Sequence, residues 1–116
     1  MSSKFRSILE PDRVAADGVA EQPELLLSEA VARHKNGQLA QAQALYEKVL
    51  ALRPGHFDAL HLLGVIAYQT NNPTLAVELI GRAIEANPHD AAAYFNRGLA
   101  LQSLGQHEAT LRSYDR

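Results

Sequence analysis

Five histidines give this chain its widest chemical reach: His34, His56, His61, His89 and His107. Imidazole is a frequent metal ligand and the usual general base near neutral pH, so their spacing is the first test for a metal centre or a proton-transfer site. Zinc needs three or four converging ligands. His56 and His89 stand at comparable loop positions one repeat apart, and His107 opens a helix of its own, so the five read as structural or solvated histidines. No metal site is predicted. No serine stands near a recognisable base, and the carboxylates are scattered. Glu78 and Arg82, at i and i+4, form an ordinary helix-surface pair. Neither a G-x-x-x-x-G-K loop nor a G-x-G-x-x-G turn occurs. The residues therefore predict no catalytic site, no enzyme and no cofactor, and the function has to be sought in a surface.

Composition narrows what that surface meets. Apolar residues make up 47% and charged residues 21% of the 116-residue chain, values near the globular average and enough for one core. Eleven Lys plus Arg against thirteen Asp plus Glu give a net charge of -2, which lacks the basic footprint that phosphate neutralisation demands, so nucleic acid is not an expected partner. The chain has no cysteine, so packing rather than disulfides must hold it, and a reducing compartment is mildly favoured. The first ten residues carry Lys4 and Arg6 but no apolar run of about 7 to 15 residues behind them, and nothing further on approaches a membrane span. The expected location is cytoplasmic, with no membrane partner.

The elements that present the surface follow from a period of 34 residues. Pro54 and Pro88 are separated by it; so are Gly37, Asn71 and Gly105, then Ala30, Gly64 and Gly98, then Ala42, Ala76 and Thr110. Each class has a physical task. Gly or Asn leaves a helix through a left-handed residue at least cost. Pro73 suits the first turn of the next helix, where its missing N–H loses nothing. Pro54 and Pro88 forbid continuation of a helix. Ala30, Gly64 and Gly98, with Ala42, Ala76 and Thr110 facing them, let two backbones approach closely. Apolar residues recur at helical spacing, Leu60, Leu63 and Ala67 in one helix and Ala76, Ile80, Ala83 and Ile84 in its partner. The spacing predicts six helices, at 23–36, 39–52, 57–70, 73–87, 91–104 and from 107 onward, in antiparallel pairs. Stacked pairs of this kind give an all-α, right-handed α-superhelix with the first helix of each pair on its concave side.

The period, the small residues at its eighth and twentieth positions, the Gly or Asn at the fifteenth and the Pro at the thirty-second resemble the tetratricopeptide repeat family. The resemblance implies a solenoid of about three repeats, 23–56, 57–90 and 91–116, the last incomplete. Residues 1–22 lie outside the period and read as a flexible segment in which Phe5, Ile8 and Leu9 form an amphipathic turn or two before Pro11; the alternative is a tail docked on the first repeat. Two departures stand out. Glu29 and Arg33 occupy usually apolar positions of the first repeat, as suits an amino-terminal cap, and Thr110 replaces the usual Ala.

In this family the concave positions bind extended peptides or helices of other proteins, so the resemblance implies a groove lined by Leu27, Val31 and His34, then Asp58, His61, Val65 and Tyr68, then Phe95, Asn96, Leu99 and Gln102. Leu27, Val31, Val65 and Leu99 equally suit packing between neighbouring first helices, whereas His61, Tyr68 and Phe95 can both stack and hydrogen-bond or cover a ligand. Leu27 and Val31 stand where some members clamp a carboxylate, so that clamp is absent. Asn96 resembles the asparagines that hold peptide backbone in the repeat arrays of O-linked N-acetylglucosamine transferases; the alternative is an exposed polar residue.

The sequence stops at Arg116 inside the expected sixth helix, without a turn or polar cap. An amino-terminal fragment of a longer array is the expected explanation. The rival is a stand-alone protein that self-associates through an edge formed by Leu104, Leu111 and Tyr114. The leading functional expectation is a non-catalytic protein-protein interaction scaffold that binds a peptide or helical segment in its groove. The alternatives are a regulatory or substrate-selecting array of a larger glycosyltransferase, suggested by DALHLLGVIAYQ and AYFNRGLALQSLGQHEATLRSYDR, and a self-associating structural module.

Overall fold

Two left-handed residues set the turns: Gly37, with φ of 79°, and Asn71, with φ of 67°. The structure, a computed structural model, describes residues 22–114, and for 110–114 the backbone only. The expected flexible segment 1–22 therefore lies, Gln22 apart, outside the described residues. Among the described residues five helices follow in order: α1 Pro23–Lys35, α2 Leu39–Leu52, α3 Phe57–Gln69, α4 Pro73–Ala86 and α5 Ala91–Tyr114. The chain divides into two units, one ending at Pro54 and the other beginning at Gly55.

In the first unit α1 begins on Pro23, whose lost N–H would have been unpaired in the first turn, with Glu24 beside it to favour the helix dipole. It ends in two nested bonds, Gln38 N–H to Arg33 O at 2.9 Å and Gly37 N–H to His34 O at 3.0 Å. That pattern is a Schellman motif, and it requires the left-handed Gly37. Arg33 reinforces the turn by reaching across it to the side chains of Gln38 at 3.4 Å and Gln41 at 3.3 Å, while pairing with Glu29 at 3.4 Å. The two charges at usually apolar positions thus satisfy each other on the solvent side. Ala30 of α1 and Ala42, Tyr46 and Val49 of α2 are fully buried.

The second unit repeats the device. Asn72 N–H bonds Ala67 O at 2.7 Å and Asn71 N–H bonds Tyr68 O at 3.1 Å. Asn72 then caps α4 through Oδ1, which accepts from Leu75 N–H at 3.3 Å, and Pro73 opens the helix. At the far end Asn87 precedes Pro88 with extended φ and ψ of -145° and 91°, and Arg53 precedes Pro54 in the same way at -139° and 91°. Leu60, Ile66, Ile80 and Ala83 are essentially fully buried, and burial of each large aliphatic side chain is worth about 1.5–3 kcal/mol. Ala67 and Ala76 pack with Ala100 of α5, and Ile80 and Ile84 pack with Ala93, so α5 lies on α4.

The third expected turn does not form. Gly105 lies inside α5, which runs unbroken from Ala91 to Tyr114, and its φ is not positive. The first turn has the Arg33 bridge and the second has the Asn72 cap and Pro73; the residues after Gly105, Gln106 and His107, include neither a proline nor an Asn. Continuing the helix keeps every local backbone bond at the modest cost of a mid-helix glycine, roughly 0.5–1 kcal/mol relative to Ala. Among the described residues no helix faces Gly98, and a Cβ placed on it would meet nothing within 4 Å.

Candidate functional site

Gly64 explains why α3 and α4 stand as close as they do. A Cβ on Gly64 would lie 2.5 Å from Cγ1 of the fully buried Ile80 and 3.4 Å from the carbonyl oxygen of Ala76. That approach, with α5 laid on α4, leaves a pocket of about 180 Å³ lined by Val65, Tyr68 and Gln69 of α3, Ile80 of α4, and Asn96 and Leu99 of α5. Four of the residues expected to form a groove, Val65, Tyr68, Asn96 and Leu99, are thereby brought together. The walls are mainly apolar, and Tyr68, 38% exposed, stands at the rim.

Beside the pocket lies a buried polar pair. Asn96 Nδ2 is 2.9 Å from Nε2 of His61, which is only 8% exposed. An amide nitrogen donates, so Nε2 accepts, and the imidazole is the neutral form with its proton on Nδ1. Burial pushes the His61 pKa below the ordinary histidine range, and the carboxylates of Asp90 and Asp58 oppose that shift only in part. Phe57 closes one side of the ring at 5.5 Å between centroids. Asn96 is thus held in place by a side chain 35 positions earlier in the sequence, and it is neither an isolated exposed polar residue nor a freely rotating one.

The remaining expected residues of this unit sit differently. His61 is too deeply buried to cover a ligand. Asp58 and Gln102 are exposed. Phe95 is 66% exposed, an uncommon exposure for a phenylalanine, and it lies next to Asn96 in sequence without lining the pocket. Leu104 is half-buried, and the side chains of Leu111 and Tyr114 lie outside the described residues. Sequence reasoning treated Ile80 as core alone, although it forms the pocket floor. A signal for it existed. Ile80 occupies the periodic position of the larger Tyr46, so the second unit carries a smaller side chain at that place.

In the first unit Leu27 and Val31 line a shallow, open depression of about 460 Å³ on α1 with Glu24, Ser28, Ala32 and Lys35. His34 turns the other way. Its Nδ1 is 3.1 Å from the hydroxyl of Tyr46, and the rings meet edge to face at 5.9 Å and 77°. That histidine serves the α1–α2 contact. Of the other histidines, His56 caps α3 by accepting from Ala59 N–H at 3.3 Å, and among the described residues no three His, Cys, Asp or Glu side chains converge as metal ligands would. No helix among the described residues is long and apolar enough to cross a membrane.

Comparison with known proteins agrees with this geometry. The tetratricopeptide repeat profile matches residues 33–109. Protein FlbA of Caulobacter vibrioides is 35% identical over 77 residues, which make up 66% of this chain and 13% of that protein. Tetratricopeptide repeat protein 7A of Homo sapiens is 29% identical over 75 residues, 65% of this chain and 9% of that protein. Among solved structures, the MamA RS-1 ArsTM double mutant matches with a TM-score of 0.69 at 32% identity, covering 77% of this chain and 50% of the other. A crystal structure of MamA matches at 0.72 and 23% identity over 99% of this chain and 72% of its own, a likeness of fold alone. The chain thus spans a small share of the curated relatives and half of the first of these structures. Its helix pairs, their left-handed turns and the matched stretch from 33 to 109 make it a member of the tetratricopeptide repeat family.

Proposed function

We propose that this chain is a non-catalytic interaction scaffold of the cytoplasm, that residues 23–116 are its repeat array, and that its recognition element is the pocket between α3, α4 and α5. The observation that carries the reading is the pairing of a small apolar pocket with an amide fixed beside it by a buried histidine. A volume of about 180 Å³ falls below the roughly 300–1,000 Å³ of small-molecule sites and suits one apolar side chain of a protein segment. Tyr68 and Leu99 supply contact area, Phe95 extends it outward, and Asn96 offers an amide that need not be ordered on binding. Rigid presentation lowers the entropy that association must overcome.

Selection of linear peptides from a random display library provides the test. Selected peptides should lose at least tenfold in affinity, about 1.4 kcal/mol, on Tyr68→Ala and on Leu99→Ala, and should be indifferent to Arg33→Ala on the other unit. Peptides that bind both pocket variants as well as the unmodified chain would place recognition elsewhere.

A further inference from the structure

The His61–Asn96 pair is not a product of the repeat. One period earlier the corresponding residues are Leu27 and Leu62, so the stacking of helices does not require an imidazole and an amide at these places. Asn96 also has two surroundings at once. Its Nδ2 is 2.9 Å from Nε2 of the buried His61, and the same residue lines the pocket with Val65, Tyr68 and Leu99, while His61 is not part of that lining.

The bond decides which end of the amide faces which side. A neutral Nε2 accepts, so Nδ2 must face it and Oδ1 is turned off the ring; a protonated Nε2 donates, and only Oδ1 can meet it. Passing from one arrangement to the other takes a half-turn of the terminal torsion, which is broad and two-fold in asparagine. Oxygen and nitrogen then exchange places while the outline of the side chain stays the same. The imidazole therefore sets the polarity of the amide without altering the shape of the pocket.

The charged groups that act on the ring are the carboxylates of Asp90, just before α5, and of Asp58, one turn back on α3; burial outweighs both and holds the imidazole neutral at ordinary pH. The Phe57 ring lies against it, and α4 contributes only the uncharged Ile80 and Ile84 to the apolar cluster on which Phe57 packs. Arg97 of α5 leans on the Tyr94 ring, 5.4 Å from its centroid.

We propose that His61 is the selectivity switch of the pocket. With His61 neutral, Asn96 presents its carbonyl oxygen, and the pocket takes a protein segment that sets an apolar side chain inside and donates a backbone N–H to Oδ1. Proton uptake by His61 turns the amide over, so that the same edge presents Nδ2 and rejects that segment. Capture in this form rests on the pocket being the recognition element proposed above. His61 acts as a positioning residue, since it touches Asn96 and not the ligand. By linkage, a donating segment makes His61 harder to protonate by the same factor by which acid weakens its binding.

The unliganded chain tests the switch. Long-range proton–nitrogen spectra at about pH 7.5 should show His61 with its proton on Nδ1. On acidification the Asn96 side-chain amide should shift with the same midpoint as the ring, while the methyl signals of Leu60 and Ile66 keep their folded positions. A proton on Nε2 near neutral pH, or an Asn96 amide indifferent to the titration, overturns the proposal whatever the pocket binds. The ligand side uses peptides from the display selection that depend on Tyr68 and Leu99 and contain no His, Asp or Glu. Replacing their backbone amides by esters one at a time, which removes a single N–H, should cost about tenfold in affinity at one position and little elsewhere. Acidification to about pH 5 should weaken the parent peptide about tenfold or more, and His61→Gln, whose side chain can accept but not titrate, should abolish that dependence. A flat ester scan would overturn the donor assignment, and an acid loss that survives in His61→Gln would overturn His61 as the switch. Selected peptides indifferent to Tyr68→Ala and Leu99→Ala would overturn the pocket reading and the ligand class named here together, with the ring and amide titration left to decide the switch.

Discussion

Asn96 Nδ2 lies 2.9 Å from Nε2 of His61, so an α5 residue bordering the pocket is positioned by a buried α3 imidazole that must be neutral to accept from it. Proton binding would turn acceptor into donor and place two donors face to face. Because burial holds the folded-state pKa of His61 below its unfolded value, despite Asp90 and Asp58, the unfolded chain binds the extra proton first. The stabilising contribution is fully present above the unfolded histidine pKa of about 6.5 and is lost as the pH falls below it, until the folded pKa is passed. Urea titrations from pH 7.5 to 5 should show stability falling at up to about 1.4 kcal/mol per pH unit from this group. In His61→Gln that part of the slope should vanish. Equal slopes in the two proteins would rule out His61 as the source.

Removing the other partner tests the bond itself. Asn96→Ala leaves Nε2 of a buried histidine unsatisfied, which costs about 1–3 kcal/mol, so this change weakens the fold as well as any ligand contact. A double-mutant cycle with His61→Leu and Asn96→Ala should return a coupling energy of roughly 0.5–3 kcal/mol. Additive effects would mean that the two side chains do not depend on each other.

Gly64 and Gly81 should respond with opposite sign to the same substitution. At Gly64 the new methyl would press on Ile80 and the Ala76 carbonyl, displacing Ile80 toward the pocket it lines, and Gly64→Ala should cost about 1–3 kcal/mol by overpacking. At Gly81, within α4, nothing lies within 4 Å of an added Cβ, so Gly81→Ala should raise stability by about 0.5–1 kcal/mol through helix propensity. Thermal melts of the two variants decide it, since equal shifts would erase the distinction.

Such contrasts mark the boundary of what the sequence could disclose. The helix limits were legible because Gly37, Asn71, Pro54, Pro73 and Pro88 each act through local backbone chemistry, which a period of 34 residues exposes. Gly64 was legible because its smallness has meaning only where helices touch. His61 was not, because the imidazole at a groove position gives no hint that its partner stands 35 residues away. The pocket floor at Ile80 escaped for a related reason: one residue served both the core and a cavity. Gly105 misled because a glycine permits a left-handed turn without demanding it, and the residues after it, unlike Asn72 and Pro73, do not compel the chain to turn.

His34 and Tyr46 carry the polar part of the α1–α2 contact, and a single atom tests it. Tyr46→Phe removes the hydroxyl 3.1 Å from His34 Nδ1 and should cost about 0.5–1.5 kcal/mol, whereas Tyr46→Ala opens a cavity in the fully buried site and should cost about 3–5 kcal/mol. Packing therefore outweighs the hydrogen bond at this position by several-fold.

The turn at Gly37 allows the sharpest backbone test, because no other residue type reaches φ of 79° without strain except Asn and Asp in part. Gly37→Val should cost about 1–2 kcal/mol, since a β-branched side chain crowds the following carbonyl and the two nested bonds that end α1 depend on this conformation. Gly37→Asn should cost less, because Asn71 holds φ of 67° at the same place in the second unit. The reverse change, Asn71→Gly, should be neutral or stabilising, since Gly adopts that conformation without a Cβ penalty. Denaturant melts of the three variants should therefore rank Gly37→Val below Gly37→Asn, with Asn71→Gly at or above the unmodified chain. A Gly37→Val protein as stable as its parent would mean that the first hairpin closes by some other geometry than a left-handed residue, and the explanation of the 34-residue period would have to be rebuilt from the prolines alone.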